Sequence, residues 1–594
     1  MTDQNATPAD FRGRLPRVVG AAALGAVVLG LATFGACAWT APSAPTDAGG
    51  DDGKAKGGEP TVGGLPLFHG WPKDRKPDAV VLLSGQSFGF LQPCGCSRPQ
   101  QGGLERRAAF VKSLREKGWT VVGFDLGDLS PQKSAIKDQA LLKYKTTMNA
   151  LRDMGYVAVG LGKTDFDLGV DEVLAEYALQ KEQPPYTLAG NLRGVANDKP
   201  IAREVRFPPI DPKSNRPLVG LAEVADVAGV RLGVVAAVGK SLAAEVAKER
   251  TDLGFEDEAV AVKRALAALA AAPKKPDVHV LLYQGTPDEA KTVAKDFPQF
   301  DLILCQAGDP EPPQFTERVN NGKTQIVQVG HKGRYVGVAG AFKKGDGGFE
   351  LYYQLVPLGE EYITPGSEEA ARKANPVLPL LEAYAEQVRD RNFLAKVPKT
   401  AHPTQIQKKD LNVSYVGSEK CQGCHAAESA KWKDTPHSHA LDALENIAKR
   451  PGLRNLDGEC VVCHTVGLSY KTGYENQKTT PHLAHVGCES CHGPGSAHVA
   501  DPKNLDLQAL MAPWKVKPGA RLPDLATIKK IGALPAIDRG KVVLKPEEQL
   551  MVNLVSSMCA KCHDHENDPH FDLYTYWPKV YHTFRQPANG NGKN

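Results

Sequence analysis

A five-residue pattern, two cysteines three positions apart with a histidine directly after the second, occurs four times in the last third of this 594-residue chain. Two thiols at this spacing can form thioethers with the two vinyl groups of one haem, and the adjacent imidazole then reaches the iron. One copy alone would also suit a zinc site or a redox disulfide, but four successive copies are typical of a multihaem protein. The sequence therefore predicts four covalently bound c-type haems, attached at Cys421, Cys424 and His425, at Cys460, Cys463 and His464, at Cys488, Cys491 and His492, and at Cys559, Cys562 and His563.

Each haem iron has a sixth coordination position, and the same region is rich in histidines that could fill it. Nine histidines from position 402 onward lie outside the motifs. Four irons need at most four of them, so several must be ordinary surface residues. An iron without a second imidazole would be an open site at which a small molecule could react.

A second pattern surrounds the first and third motifs, in Tyr415-Val416-Gly417-Ser418, Trp432, Thr435-Pro436-His437-Ser438-His439-Ala440, Val486-Gly487 and Gly493-Pro494-Gly495-Ser496-Ala497-His498. Through these stretches, residues 413–500 resemble the tetrahaem cytochromes that carry electrons from hydroxylamine oxidation. The fourth motif extends the resemblance toward the C-terminus. It implies an electron carrier in which His437 and His498 are distal iron ligands. Further candidates for that role are His439, His582 with His570 as its alternative, and, for a fourth iron, His482 or His485.

The middle of the chain alternates between short apolar runs and longer amphipathic stretches. The apolar runs at 79–83, 121–124, 232–237 and 278–282 have the length of buried strands. Stretches such as 104–117 and 258–271 have a helical pattern and lie between such runs. This order predicts an α/β domain with a buried central sheet, whose functional loops follow the carboxyl ends of the strands.

Five short stretches of this region follow one another in a recognisable order, at 102–107, 124–128, 162–167, 189–192 and 328–330. They resemble the 5′-nucleotidase branch of the metallophosphoesterases, and the resemblance covers roughly residues 76–360. It implies a metallophosphoesterase-like α/β sandwich with a site for two metal ions.

Most of the metal-ligand positions of that family carry other residues here. Ser84-Gly85-Gln86 stands in place of an Asp-x-His motif, Lys163-Thr164-Asp165 in place of Asn-His-Glu, and Gln284 in place of a histidine. The stretch 305–309 has no histidine, and only Asp128 remains at a ligand position. One carboxylate and neutral amides cannot hold two divalent ions. We therefore expect a fold that has lost its dinuclear centre.

Three cysteines of the α/β region stand apart from the haem motifs. Cys94 and Cys96 follow the first strand, Cys305 ends a later one, and His331 follows another. Loops at the same edge of a sheet could bring these residues together. The set suits a disulfide between Cys305 and one of the other two, or a soft-metal site for copper or zinc.

The N-terminal segment predicts export. Three arginines precede an apolar run at residues 18–36, which ends at Cys37. The run fits a signal or membrane-anchor segment, and the small residues before Cys37 fit a lipidation site. An uncleaved membrane helix and a soluble cleaved product are the alternatives. Lipidation at Cys37 and an uncleaved helix would each export the chain and tether it to a membrane.

The sequence as a whole predicts a multidomain protein: a signal or anchor segment (1–37), a flexible linker (38–75), a metallophosphoesterase-like α/β domain (76–360), a helical spacer and linker (361–412), and a mainly α tetrahaem domain with little regular structure (413–594). We expect Pro376 and Pro379 to interrupt the helical part of the spacer. A net charge of +4, from 72 basic and 68 acidic residues, gives no support for nucleic-acid binding.

The expected function is electron transfer between redox partner proteins on the periplasmic or cell-surface side of a bacterial membrane. We expect a carrier rather than an enzyme. The alternatives are a multihaem redox enzyme that acts on a small nitrogen or sulfur compound at a five-coordinate haem, and a metallophosphoesterase with an attached cytochrome.

Overall fold

The computed structural model describes residues 61–62, 64–93, 99–133, 136–178, 183–196, 199–200, 219–446, 452–517, 519–564, 567–568 and 570–582. The predicted export segment with Cys37 and the pair Cys94 and Cys96 lie outside the described residues. Across those described ranges, no helix combines the length and the apolar character needed to cross a membrane.

The strands all lie in the first two thirds of the described chain. They are β1 (Thr61–Val62), β2 (Leu65–Pro66), β3 (Ala79–Ser84), β4 (Val121–Asp125), β5 (Tyr156–Gly160), β6 (Tyr186–Leu188), β7 (Leu192–Ala196), β8 (Lys199–Pro200), β9 (Val219–Gly220), β10 (Ala222–Val227), β11 (Val230–Val238), β12 (Leu253–Phe255), β13 (Val278–Gln284), β14 (Leu302–Cys305), β15 (Glu317–Val319), β16 (Thr324–Val327), β17 (Tyr335–Lys343) and β18 (Phe349–Pro357).

Two mixed sheets contain most of these strands. The first has the order β18-β17-β3-β4-β5-β6-β9, and the second has the order β10-β11-β13-β14-β16-β15. Strands β3 to β6 are parallel neighbours, as are β11, β13, β14 and β16.

Strand β3 shows why these strands are apolar throughout. Val80 and Leu82 pack into the core beneath the helices on one face, whereas Val81 and Leu83 pack into a core shared with the second sheet. A strand buried on both faces needs apolar side chains at every position. Helices cover the outer face of each sheet, so the predicted α/β sandwich is confirmed.

The helices of this region are α1 (Leu104–Glu116), α2 (Lys137–Met154), α3 (Lys163–Leu168), α4 (Val170–Glu176), α5 (Lys240–Glu249), α6 (Glu258–Ala271), α7 (Pro287–Asp296), α8 (Glu368–Ala374) and α9 (Val377–Asp390). Helices α1, α2 and α9 contribute to the core on the first sheet, and α6 and α7 to the core on the second. Helix α9 belongs to the predicted spacer but packs against α2.

The C-terminal region is built from short helices around two small apolar cores. From residue 401 onward the described residues contain no strand. One core includes Leu441, Val461 and Leu483, and the other includes Ile528 and Trp577. The helices are α10 (Pro403–Gln407), α11 (Glu419–Gln422), α12 (Ala426–Lys433), α13 (Ala440–Asn446), α14 (Gly458–His464), α15 (Cys488–His492), α16 (Ser496–Ala500), α17 (Leu505–Leu510), α18 (Leu525–Gly532), α19 (Ala536–Arg539), α20 (Pro546–Cys559) and α21 (Leu573–Val580).

Candidate haem-binding site

Each of the four motifs lies on a helical turn. The second and third motifs are contained in α14 and α15, the first begins in α11, and the fourth begins at the last residue of α20. A helical turn places residues three and four positions apart on one face, so both cysteines and the histidine of a motif can face one haem. None of the eight motif cysteines forms a disulfide bond.

Hydrogen bonds orient three of the motif histidines through Nδ1. His464 Nδ1 contacts the carbonyl oxygen of Ala440, and His492 Nδ1 lies 2.5 Å from the carbonyl oxygen of Met511. His563 Nδ1 lies 2.8 Å from Oδ2 of Asp568. A ring that donates through Nδ1 keeps the Nε2 lone pair for a metal. These contacts fix the orientation of the three rings and leave Nε2 of each ring available to bind iron.

Three motif histidines face a second imidazole at a distance that suits one iron between the two rings. The ring centres are 6.3 Å apart for His425 and His498, 6.0 Å for His563 and His437, and 6.0 Å for His492 and His582. A metal–imidazole bond is about 2 Å long, and so two rings on opposite sides of one metal ion have centres about 6 Å apart. The structure thus brings three predicted distal ligands, His437, His498 and His582, to a motif histidine.

The fourth predicted distal ligand has a different neighbour. His439 lies next to His485, with ring centres 6.4 Å apart, and neither residue belongs to a motif. The His439 side chain is 70% exposed, and its Nδ1 lies 3.6 Å from Asp442. The structure therefore does not bring His439 to a motif histidine in the way that it brings the other three.

The half-buried distal candidate His437 is in the protonation state that a ligand needs. Burial, together with the nearby rings of His563 and His464, lowers the pKa of His437 to about 4. At neutral pH the ring is therefore uncharged and has a lone pair to offer.

The cysteines of different motifs contact one another in an order that differs from the sequence. Cys421 of the first motif is hydrogen-bonded to Cys488 of the third, and Cys463 of the second motif to Cys562 of the fourth. Cys491 of the third motif interacts electrostatically with Cys559 and Cys562 of the fourth. The attachment points therefore form a row in the order first, third, fourth, second.

The second motif, at the end of that row, faces a cavity between the two regions of the protein. Cys460, Cys463 and His464 line one side of it. Residues 89–92 of the α/β region and one face of α9 line the other side. The thiols, the oriented rings and this cavity are together what covalently attached haems require, so the residues present fit the predicted cofactor.

Several hydrogen bonds join the two regions around this cavity. On the side of the second motif, Gln139 Nε2 donates to Oδ1 of Asp457 at 2.8 Å, and Arg454 donates to the carbonyl oxygen of Pro93 at 2.8 Å. On the side of the fourth motif, His570 Nε2 lies 3.0 Å from the carbonyl oxygen of Pro99. Pro93 and Pro99 are the described residues on either side of the stretch that contains Cys94 and Cys96.

In the α/β region, protein donors surround the one remaining carboxylate at a ligand position. Thr164 donates to Oδ1 of Asp128 through its backbone nitrogen at 2.9 Å and through its hydroxyl at 3.2 Å. Gln284 also bonds Asp128, and Gln306 Nε2 donates to Oε1 of Gln284 at 2.9 Å. Among the described residues, no group of three or more His, Cys, Asp or Glu side chains could hold a metal ion.

Cys305 is a free, fully buried thiol at the end of β14. It packs in the core beneath α6 and α7, and burial raises its pKa to about 12. His331 contacts a different group, since its Nε2 lies 3.0 Å from the carbonyl oxygen of Ala307. Because Cys94 and Cys96 are not described, the predicted disulfide and the predicted soft-metal site stay predictions.

Sequence reasoning missed the polar residues that support the motifs. Asp457 caps the N-terminus of α14, and an aspartate just before a helix is a recognisable signal. Asp568 lies five positions after His563, where no local pattern indicates a contact. Lys143, which pairs with Glu459, lies in another region of the sequence altogether.

Comparison with known proteins gives a match in the C-terminal region. Residues 420–493 match the family model of cytochrome c554 and c-prime. Cytochrome c-554 of Nitrosomonas europaea is 36% identical over 102 residues, which are 16% of this chain and 43% of that protein. The chain thus spans less than half the length of this relative. The match confirms the resemblance found in the sequence and indicates c-type haem in this region, whereas the number of four stays a prediction.

Solved structures of a 5′-nucleotidase, a sulfate thiohydrolase and a calcineurin-like phosphoesterase are similar to about half of the chain. A 5′-nucleotidase precursor of Thermus thermophilus gives a TM-score of 0.40 with 18% identity, over 54% of this chain and 60% of that one. The sulfate thiohydrolase SoxB of the same organism gives a TM-score of 0.40 with 16% identity, over 53% of this chain and 62% of that one. The calcineurin-like phosphoesterase YfkN of Bacillus subtilis gives a TM-score of 0.36 with 15% identity, over 51% of this chain and 98% of that one.

Proposed function

We propose that the protein is a tetrahaem c-type cytochrome that transfers electrons between redox partner proteins outside a bacterial membrane. The observation that carries the proposal is the pairing of His425, His492 and His563 with a second imidazole about 6 Å away. An iron with two imidazole ligands has no free position for a substrate, so it is suited to electron transfer. Bound haem would supply a reversible one-electron iron couple, and the motif cysteines and paired histidines would hold it.

The row of attachment points supports the same role. Contacts between Cys421 and Cys488 and between Cys463 and Cys562 require neighbouring haems to lie close together. A closely spaced row allows electrons to pass from one end of the region to the other. The surrounded Asp128 carboxylate favours this carrier role over hydrolysis by the α/β region.

The test is the haem content and spin state of the purified full-length protein. We expect a haem-to-protein ratio near four and electron paramagnetic resonance signals of low-spin iron for the three paired sites. A clearly lower ratio would contradict the tetrahaem proposal. High-spin signals from the paired sites would instead favour the redox enzyme.

We further propose that the N-terminal segment tethers the protein to the membrane through Cys37. The apolar run at 18–36 and the position of Cys37 at its end support this part of the proposal. The experiment compares the membrane and soluble fractions of cells that produce the wild type or Cys37→Ser. Release of the variant supports a lipid anchor, retention of both supports a helical anchor, and soluble wild type contradicts tethering.

A further inference from the structure

We propose that the α/β region forms part of the second haem site, where Lys143 is a positioning residue that sets the reduction potential of that haem. The inference rests on the proposed haem attachment at Cys460 and Cys463. It gives the α/β region a role in the cytochrome that does not depend on phosphoesterase chemistry.

The ion pair between Lys143 and Glu459 crosses the boundary between the two regions. Lys143 extends from α2, and its Nζ contacts a carboxylate oxygen of Glu459. The Lys143 side chain is only 10% exposed, whereas that of Glu459 is 42% exposed. Because Glu459 directly precedes Cys460, the pair lies against the attachment point of the haem.

Asp457 gives the same helix a second support from the α/β region. Its Oδ1 accepts hydrogen bonds from Gln139 Nε2 at 2.8 Å and from the backbone nitrogen of Glu459 at 3.0 Å. Its Oδ2 accepts one from the hydroxyl of Tyr384 at 3.1 Å. Helix α14, which contains the whole second motif, is therefore held at its N-terminus by α2 and α9.

The cavity shows that these contacts surround the cofactor position itself. Lys143, Tyr384, Asp457 and Glu459 line the same cavity as Cys460 and His464. Apolar residues of α9, such as Leu381 and Val388, complete that wall. A haem attached at this motif would thus have the α/β region on one side and the fourth motif, through Cys562, at another.

Among the described residues, the charged side chains that line the cavity and interact with Cys460 are two cations and two anions. Lys143 and Arg454 are the cations, and Asp457 and Glu459 are the anions; all four interact electrostatically with Cys460. Burial tends to lower the pKa of Lys143, but the carboxylates of Glu459 and Asp457 outweigh it and raise the pKa overall, so the ammonium stays charged. A fixed positive charge near a haem favours the reduced iron, and a negative charge favours the oxidised iron.

A purely structural ion pair is the alternative explanation of Lys143. Ion pairs with a buried member add little net stability, and they often fix the relative position of two elements. A structural role would alter the stability of the protein when the pair is broken. It would not shift the potential of one haem in opposite directions when one or the other partner is neutralised.

The experiment measures the potentials of all four haems in full-length holoprotein by spectroelectrochemical titration. Lys143→Met should lower one of the four potentials, Glu459→Gln should raise the same one, and the double variant should return it toward the wild-type value. Lys145→Met is the matched control, because Lys145 lies on the same helix and pairs with Glu176 within the α/β region. We expect it to leave all four potentials unchanged.

The inference is overturned if both single variants carry four haems with four unchanged potentials. If Lys143→Met does not accumulate as folded protein, Glu459→Gln alone decides, and an unshifted potential there overturns the inference. A wild-type protein without haem at the second motif is a separate outcome. It contradicts the proposed function, and it is detected before any variant is made.

Discussion

The carboxylate of Asp568 lies 2.8 Å from Nδ1 of His563, the motif histidine of the fourth site. The Asp568 side chain is 7% exposed. The corresponding acceptors at His464 and His492 are backbone carbonyl oxygens rather than carboxylates. A carboxylate acceptor makes the imidazole a stronger electron donor, which favours oxidised iron.

We predict that Asp568→Asn raises the potential of the fourth haem. Loss of the negative charge weakens electron donation by His563, and a change of about 1 kcal/mol corresponds to about 40 mV for a one-electron couple. Redox titration of the holoprotein measures the shift. Asp538→Asn is the control, because Asp538, in α19, pairs with the exposed Lys541; equal shifts in both variants would exclude the proposed role of Asp568.

Replacement of a distal histidine should create one high-spin haem. His437→Ala, His498→Ala and His582→Ala each remove one ring of a pair, so each should add one high-spin signal and one carbon monoxide-binding site per protein. Electron paramagnetic resonance and carbon monoxide difference spectra measure these changes. We expect His439→Ala to add neither, because His439 lies next to His485; a new high-spin haem in that variant would identify His439 as a ligand after all.

The stability of the α/β region should fall as the pH rises from about 4 to about 7. Burial, and next the neighbouring carboxylate of Asp128, raises the pKa of Asp165 to about 7. The folded state then binds a proton that the unfolded state has already lost, so stability is greatest below the ordinary aspartate pKa and is lost as the pH rises through the folded one. The slope is at most about 1.4 kcal/mol per pH unit.

Asp165→Asn should flatten this pH dependence. It should also lower stability at every pH, since Oδ2 of Asp165 accepts backbone hydrogen bonds from Asp128 and Gly162 that an amide nitrogen in its place cannot accept. Urea unfolding followed by far-ultraviolet circular dichroism measures both effects. Asp167→Asn, on the same helix and 41% exposed, should keep the wild-type slope. An unchanged slope in Asp165→Asn would refute the assignment.

The α/β region should not hydrolyse phosphate esters. Hydrogen bonds from Thr164 and Gln284 already occupy the Asp128 carboxylate. We expect no manganese-dependent hydrolysis of nucleotides or phosphodiesters by purified protein. Hydrolysis that Asp128→Ala abolishes would show instead that the metal centre is intact.

Much of the fold could be predicted because the pattern of apolar residues within each strand or helix indicates the type of that element. The apolar run at 121–124 became β4 (Val121–Asp125), and the helical pattern at 258–271 became α6 with the same bounds. Strands buried on both faces have few polar interruptions, so their sequence is recognisable. The expected interruption at Pro379 did not occur, since it lies in the first turn of α9, where a helix tolerates proline.

The attachment residues were predictable for a related reason, since the chemistry fixes their spacing within five residues. The distal histidines were predictable only through resemblance, and His439 shows the limit of proximity in sequence: two positions after His437, it lies beside another ring. The pair of Lys143 and Glu459 could not be predicted. The amphipathic pattern of α2 indicates which face is buried, but nothing in it specifies a partner 316 positions away.

That separation has a consequence for how the protein is made. The chain is made, and would cross the membrane, from its N-terminus, and domains generally fold as units in that order, so α2 can already be in place when the second motif emerges. Helix α14 then meets a preformed surface with Lys143, Gln139 and Tyr384 on it. The α/β region can in this way act as an internal template for maturation, placing one haem-bearing helix on a surface that folded before it.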